Sequence, residues 1–233
     1  QLPGSWNTVI QNDVYGDAIY KDDANKLDVF GNTTYPVLQS AFDGNNIYFR
    51  VLLNGSTGDF NKDFKFFIGI DADLDNDIDF FIYLKRKKNK ENEDYDSDNK
   101  IGFWKTDSGD QKKPKTTSWK SEDFIDSNDR YLSNSTINTD SSGSGLNDHY
   151  YDFGFPLSEL QDFISSDFPD FDTSTTVNLV AFSAEGGNDD DELNKAHRKD
   201  ILGIDDRTIQ SSNGYSNYSW SSLFVTNSFA GFS

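Results

Sequence analysis

Apolar and polar positions alternate in short runs along this chain, and turn residues separate the runs. Residues 35–53 read YPVLQSAFDGNNIYFRVLL. Val37, Gln39 and Ala41 alternate there with Leu38, Ser40 and Phe42, which predicts a strand. Asp43-Gly44-Asn45-Asn46 is a turn signal, and Ile47 onward predicts the returning strand of a hairpin. Residues 65–84, KFFIGIDADLDNDIDFFIYL, predict a second hairpin. Phe66, Phe67, Ile68 and Ile70 lie on one side of a polar loop, with Phe80, Phe81, Ile82 and Tyr83 on the other. Aromatic and β-branched residues at this density favour strands.

Further along, 149–160 read HYYDFGFPLSEL. Tyr151, Phe153 and Phe155 alternate with Asp152 and Gly154, a half-buried strand that Pro156 ends. Ser158 and Gln161 are spaced as a capping box for a short helix carrying Leu160, Phe163 and Ile164 and stopping before Pro169. The nearly continuous apolar run at 177–184, VNLVAFSA, predicts a central strand. Shorter strands are expected within 6–20, at 101–105, at 116–120 and at Phe224-Val225. Residues 85–100 and 133–147 read as loop, and Glu122, Asp123 and Asp126 as a solvated turn. No repeat of solenoid length is visible. The expected fold is all-β: an antiparallel β-sandwich, jelly-roll or DOMON-like, with one short helix and long loops.

Composition narrows the function. The chain has 233 residues, read as one β-sandwich domain over 1–233. It begins at Gln1 without methionine, so it is expected to be a piece of a longer protein. Forty acidic residues against 21 basic ones give a net charge of −19, which disfavours nucleic acid and anionic membrane surfaces as partners. No apolar run approaches the roughly 20 residues of a membrane span, so no insertion is expected. There is no cysteine and hence no disulfide framework. If the domain is secreted, it needs another staple. Aromatic residues make up 15% of the chain, enough to build a core.

That staple has a candidate in the second hairpin. Asp71, Asp73, Asp75, Asp77 and Asp79 occupy every second position of its loop. Five carboxylates this close repel one another unless a hard cation neutralises them, and Ca²⁺ takes six to eight oxygens. Against the EF-hand template, Asp71, Asp73 and Asp75 fall at the first, third and fifth positions. Asp77 falls at the backbone-carbonyl position and Asp79 at the often water-bridged ninth. Ile78 would anchor the loop on the core. Two departures stand out: Asn76 replaces the glycine of the sharp turn, and Ile82 replaces the closing glutamate. The alternative is a solvated acidic turn without metal. Further acidic sets are Asp22, Asp23 and Asp28, then Glu185, Asp189, Asp190, Asp191 and Glu192, with Asp200, Asp205 and Asp206 beyond. Glu185, Asp189, Asp190, Asp191 and Asp205 are expected to furnish a further Ca²⁺ site.

Catalytic patterns are missing from the sequence. His149 and His197 are the two histidines, in no metal-ligand spacing; no G-x-S-x-G elbow exists, and nothing singles out a carboxylate pair for glycoside hydrolysis. The chain is therefore expected not to be an enzyme. Among the tryptophans, Trp6, Trp104, Trp119 and Trp220 are each expected in the core before a ligand platform. Trp104 and Trp119, in polar surroundings, are the candidate ligand platforms.

The order FDGNNIYFRV, FIGIDADLDNDIDFFI, YDFGFPLSEL, VNLVAFSA resembles the DOMON-like β-sandwiches that include family-nine carbohydrate-binding modules. The matching positions are 43–51, 71–79 and 154–160, within a resemblance spanning 6–185. In composition the chain also resembles the ligand-binding domains of giant RTX-type bacterial adhesins, which commonly depend on Ca²⁺. These resemblances imply a monomeric, extracellular module of the bacterial cell surface, binding a glycan or peptide on a host or neighbouring cell. The alternative they leave is a Ca²⁺-stabilised structural spacer, with glycoside hydrolysis behind both.

Overall fold

Both expected hairpins form, and each seeds one sheet. The computed structural model describes residues 3–14, 28–53, 64–86, 100–105, 124–126, 131–136, 147–185, 198–203 and 220–229. In the first sheet, β1 (Asn7–Ile10) pairs with β2 (Leu38–Phe42), which turns into β3 (Asn46–Leu53). The second is built on β4 (Phe64–Asp71) and β5 (Phe80–Arg86), followed by β6 (Lys100–Lys105) and β7 (Phe124–Asp126). The chain then crosses back to the first sheet as β8 (Tyr131–Thr136) and β9 (His149–Pro156). After helix α1 (Leu157–Ile164) it returns to the second sheet as β10 (Thr176–Glu185), β11 (Arg198–Ile201) and β12 (Val225–Ser228). The strand orders are β1-β2-β3-β9-β8 and β11-β10-β4-β5-β6-β7, with β12 also on β10, and all pairings are antiparallel. This is the expected all-β sandwich.

The strand periodicity sends alternate residues into the space between the sheets. Phe49, Phe153 and Phe155 of the first sheet meet Phe66, Phe103 and Phe229 there, with Phe49 and Phe153 stacked at 5.6 Å and Phe103 edge-on to Phe155 at 4.8 Å. Burial of each such side chain contributes about 1.5–3 kcal/mol. The runs at 66–70, 80–84 and 177–182 are nearly continuous because the second sheet is covered on its outer face too. There Phe67, Phe81, Tyr83, Trp104, Val180 and Phe182 form a second buried cluster with Ile78, Ile201 and Leu223.

Three expectations change. β9 is buried on both faces, where alternation predicted a half-buried strand. Its outward Tyr150 joins Phe30 and Leu52, and its outward Asp152 is neutralised by Arg50. The stretch expected as loop from 133 continues β8 as far as Thr136, and Asp126 ends a strand, not a turn. The capping box does not form. The chain passes straight from β9 into α1, so Pro156 stands at the cap position and offers no side-chain acceptor. The Leu157 N–H instead donates to the Asn45 carbonyl at 2.9 Å, and the Gln161 amide donates to the Phe171 carbonyl at 2.9 Å. The expected strand at 116–120 lies outside the described residues.

Candidate metal centre

The loop between β4 and β5 is folded by its own aspartates. Asp71 is the last residue of β4 and is fully buried. Its Oδ1 accepts the Asp75 N–H at 3.2 Å, while its Oδ2 accepts the Asn76 N–H at 3.0 Å and the Asn178 side-chain amide at 2.9 Å. Asp73 Oδ1 accepts the Asp75 N–H, Asp75 Oδ1 accepts the Asp77 N–H, and Asp79 Oδ2 accepts the Ala72 N–H at 2.7 Å. Short polar side chains that bond to backbone N–H groups a few residues on are what folds such turns. The tight winding puts Leu74 at φ 65° and Asn76 at φ 76°. Asn suits the left-handed region, so it serves where the template has glycine. Ile78 anchors the loop as expected: it is buried in the outer cluster, over Gly69.

This winding brings Asp71, Asp73 and Asp79 together. Each offers a carboxylate oxygen, and the three oxygens lie within 4.8 Å of one another. They correspond to the first, third and ninth template positions. Asp75 stands exposed and Asp77 half-buried beside them. The electrostatics match the crowding. Burial, and then the charges of Asp73, Asp71 and Asp75, push the Asp79 carboxyl up to about 7, against the pull of the Ala72 N–H. Loss of water and the charges of Asp75 and Asp71 also raise Asp73. A carboxylate oxygen accepts about two hydrogen bonds. Asp71 Oδ2 is thus filled by its two donors, and among the described residues Oδ1 accepts one.

The chain matches no protein-family model, no curated protein and no solved structure. The chemistry of this loop is therefore argued from its own atoms.

The other expected site residues fall elsewhere. Glu185 ends β10 opposite Phe64, whereas Asp71 pairs with Asn178 near the strand's start. Those positions are separated by roughly 24 Å at about 3.4 Å per residue, so Glu185 belongs to the opposite end of the sandwich. Asp189, Asp190, Asp191, Glu192, Asp205 and Asp206 lie outside the described residues, as do Asp22 and Asp23. Asp28 is buried beside Val29, and Asp200 sits in β11 opposite Ser183.

Trp104 takes the core place and not the platform for which it was a candidate. It is 6% exposed and stacks on Tyr83 at 5.4 Å and 9°, inside the outer cluster. Its polar neighbours in sequence misled, because β6 buries both faces. Trp119 lies outside the described residues. Trp6 is half-buried, its ring against the Arg50 guanidinium at 4.1 Å. His149 is buried in β9, and burial lowers its pKa against the opposing charge of Asp148.

Sequence reading missed Asn178 and Thr226. Thr226 Oγ1 donates to Asn178 Oδ1 at 2.7 Å, behind the Asn178–Asp71 contact. The one available signal was an asparagine inside the apolar run VNLVAF.

Proposed function

We propose that the 71–79 loop binds Ca²⁺ and that the chain is a Ca²⁺-stabilised binding module of an extracellular bacterial surface protein, recognising a glycan or peptide on another surface. The observation that carries the metal reading is the convergence of Asp71, Asp73 and Asp79 in a loop already wound by hydrogen bonds. Burial first, and then the neighbouring carboxylate charges, raise Asp79, and a divalent cation offsets both the lost hydration and the repulsion. An all-oxygen set in an irregular loop suits Ca²⁺ better than Mg²⁺, which demands a near-ideal octahedron. Asp71, Asp73 and Asp79 would hold the ion. Asp75 and Asp77 of the same loop, and solvent, would complete its shell.

The binding role rests on the resemblance to Ca²⁺-dependent adhesin domains and on the long connections that such domains use for recognition. One observation favours the rival reading of a structural spacer: Trp104, one of two candidate platforms, is spent on packing. Glycan and peptide arrays, each probed with and without Ca²⁺, separate the two. A Ca²⁺-dependent hit supports the binding module. Silent arrays together with a Ca²⁺-dependent melting temperature support the spacer.

A further inference from the structure

Asp71, Asn178 and Thr226 lie in one row across three neighbouring strands. Asn178 is the register partner of Asp71 on β4 and of Thr226 on β12. All three point to the outer face of the second sheet, since their neighbours Ile70, Val177 and Leu179 point into the core between the sheets. The row is a continuous chain of hydrogen bonds: Thr226 Oγ1 donates to Asn178 Oδ1 at 2.7 Å, and Asn178 Nδ2 donates to Asp71 Oδ2 at 2.9 Å. The direction is fixed. A buried carboxylate only accepts, so the amide must turn its NH₂ toward Asp71 and its oxygen toward the hydroxyl.

β12 needs such a contact. It has four residues and, among the described residues, one partner strand, β10, whose edge it shares with β11. Its side chains are half-buried or exposed. Phe229 holds its far end, buried against Phe171 at 4.8 Å, with its N–H on the Thr175 carbonyl at 2.8 Å. Strands of this kind open at lower cost than the core strands beside them.

We infer that Asp71, Asn178 and Thr226 form a polar latch that seats β12 on β10 and ties its opening to the state of the 71–79 loop. Asp71 is the shared member: the same carboxylate accepts N–H groups of the loop and the amide of the latch. A loop that holds Asp71 firmly holds Asn178, and through it Thr226. The latch itself stands on the hydrogen bonds above. Its response to a cation rests on the Ca²⁺ reading of the loop.

Hydrogen exchange of the whole chain tests both parts. Thr226→Val is close in shape but removes the donor; Thr226→Ser keeps it. Loss of one net hydrogen bond is expected to speed exchange across 225–228 about fivefold to tenfold in Thr226→Val, with β4 and β5 unchanged. Thr226→Ser is expected to restore most of the protection. Wild-type exchange at 225–228 in Thr226→Val overturns the latch. Added CaCl₂ is expected to slow exchange at 225–228 in wild type and less so in Thr226→Val. Calorimetric Ca²⁺ binding without that slowing overturns the coupling alone. If calorimetry shows no Ca²⁺ binding, the metal reading and the coupling fall together, and the latch is still decided by the Thr226 pair.

Discussion

Arg50 and Asp152 stand opposite each other on β3 and β9 and meet through two hydrogen bonds, Nε to Oδ1 at 2.6 Å and Nη2 to Oδ2 at 2.8 Å. The guanidinium also lies 4.1 Å from the Trp6 ring centroid and 4.8 Å from that of Tyr150. The pair is unequal in burial: the Asp152 side chain is 1% exposed and that of Arg50 18%. Removing either partner strands the other, and the penalty scales with how deeply the stranded charge is buried. Arg50→Met is therefore expected to cost about 3 kcal/mol, and Asp152→Asn about 1–2 kcal/mol, because Arg50 keeps its rings and some water. Urea denaturation of both variants measures the order. A larger loss in Asp152→Asn would contradict it.

Two glycines admit large side chains across the sheets, and they differ in what a methyl would strike. A Cβ on Gly154 would lie 2.5 Å from Tyr48 Cδ1 and 2.8 Å from the Ile47 carbonyl oxygen. On Gly69 it would meet Ile78 Cδ1 at 2.8 Å and Phe81 Cε1 at 2.9 Å, both ends of side chains. Backbone yields less readily than a side-chain tip, so Gly154→Ala is expected to cost about 3 kcal/mol or more and Gly69→Ala about 1–2 kcal/mol. Gly69→Ala carries a second effect. It displaces the Ile78 anchor, so Ca²⁺ binding by the loop should weaken, whereas Gly154→Ala should leave the affinity of the folded fraction unchanged. Calorimetric titration of the two variants checks this.

Asp79 makes the metal-free protein sensitive to pH. Its folded-state pKa is raised to about 7 from an ordinary 3.8. Stability from the neutral form is fully present below about pH 4 and is lost as pH rises through about 7. His149, held low by burial, works in the opposite direction in mildly acidic solution. Comparison with Asp79→Asn removes that term. In metal-free buffer the variant is expected to melt close to wild type at about pH 4 and several degrees above it at about pH 8. The variant should also lose most of its response to Ca²⁺. Parallel melting profiles of the two proteins from about pH 4 to about pH 8 would contradict the raised Asp79.

Much of this was legible in the chain because strand periodicity is a local signal. Alternation and turn residues gave the 35–53 and 65–84 hairpins, and the spacing of the five aspartates marked the loop, though not which of them converge: Asp71, Asp73 and Asp79 do. What escaped depended on neighbours distant in sequence. Asp152 reads as a solvent-facing residue until Arg50, 102 positions away, is placed beside it. Trp104 stays open between core and platform in the sequence until Tyr83 and Phe67 are placed against it. Ser158 reads as a cap, but β9 runs into α1 without a gap and Pro156 takes that place. Asn178 gains its meaning from Asp71, 107 positions away. The polar strand β8 escaped for the same reason: Ser133 and Ser135 belong to a strand because β9 lies alongside.

The melting temperature with and without Ca²⁺ tests the central claim, that the 71–79 loop is a cation site clamping β4 to β5. Ligand that binds only the folded state adds RT ln(1 + [L]/Kd). For a Kd of about 10⁻⁴–10⁻³ M, as in extracellular modules, about 10 mM Ca²⁺ adds about 1.4–2.7 kcal/mol, or about 3–11 °C. The account predicts that shift in wild type over a chelated control at pH 8. It also predicts loss of most of the shift in Asp71→Ala/Asp73→Ala. Identical melting curves in chelator and in Ca²⁺ would show that the loop is an acidic turn and nothing more.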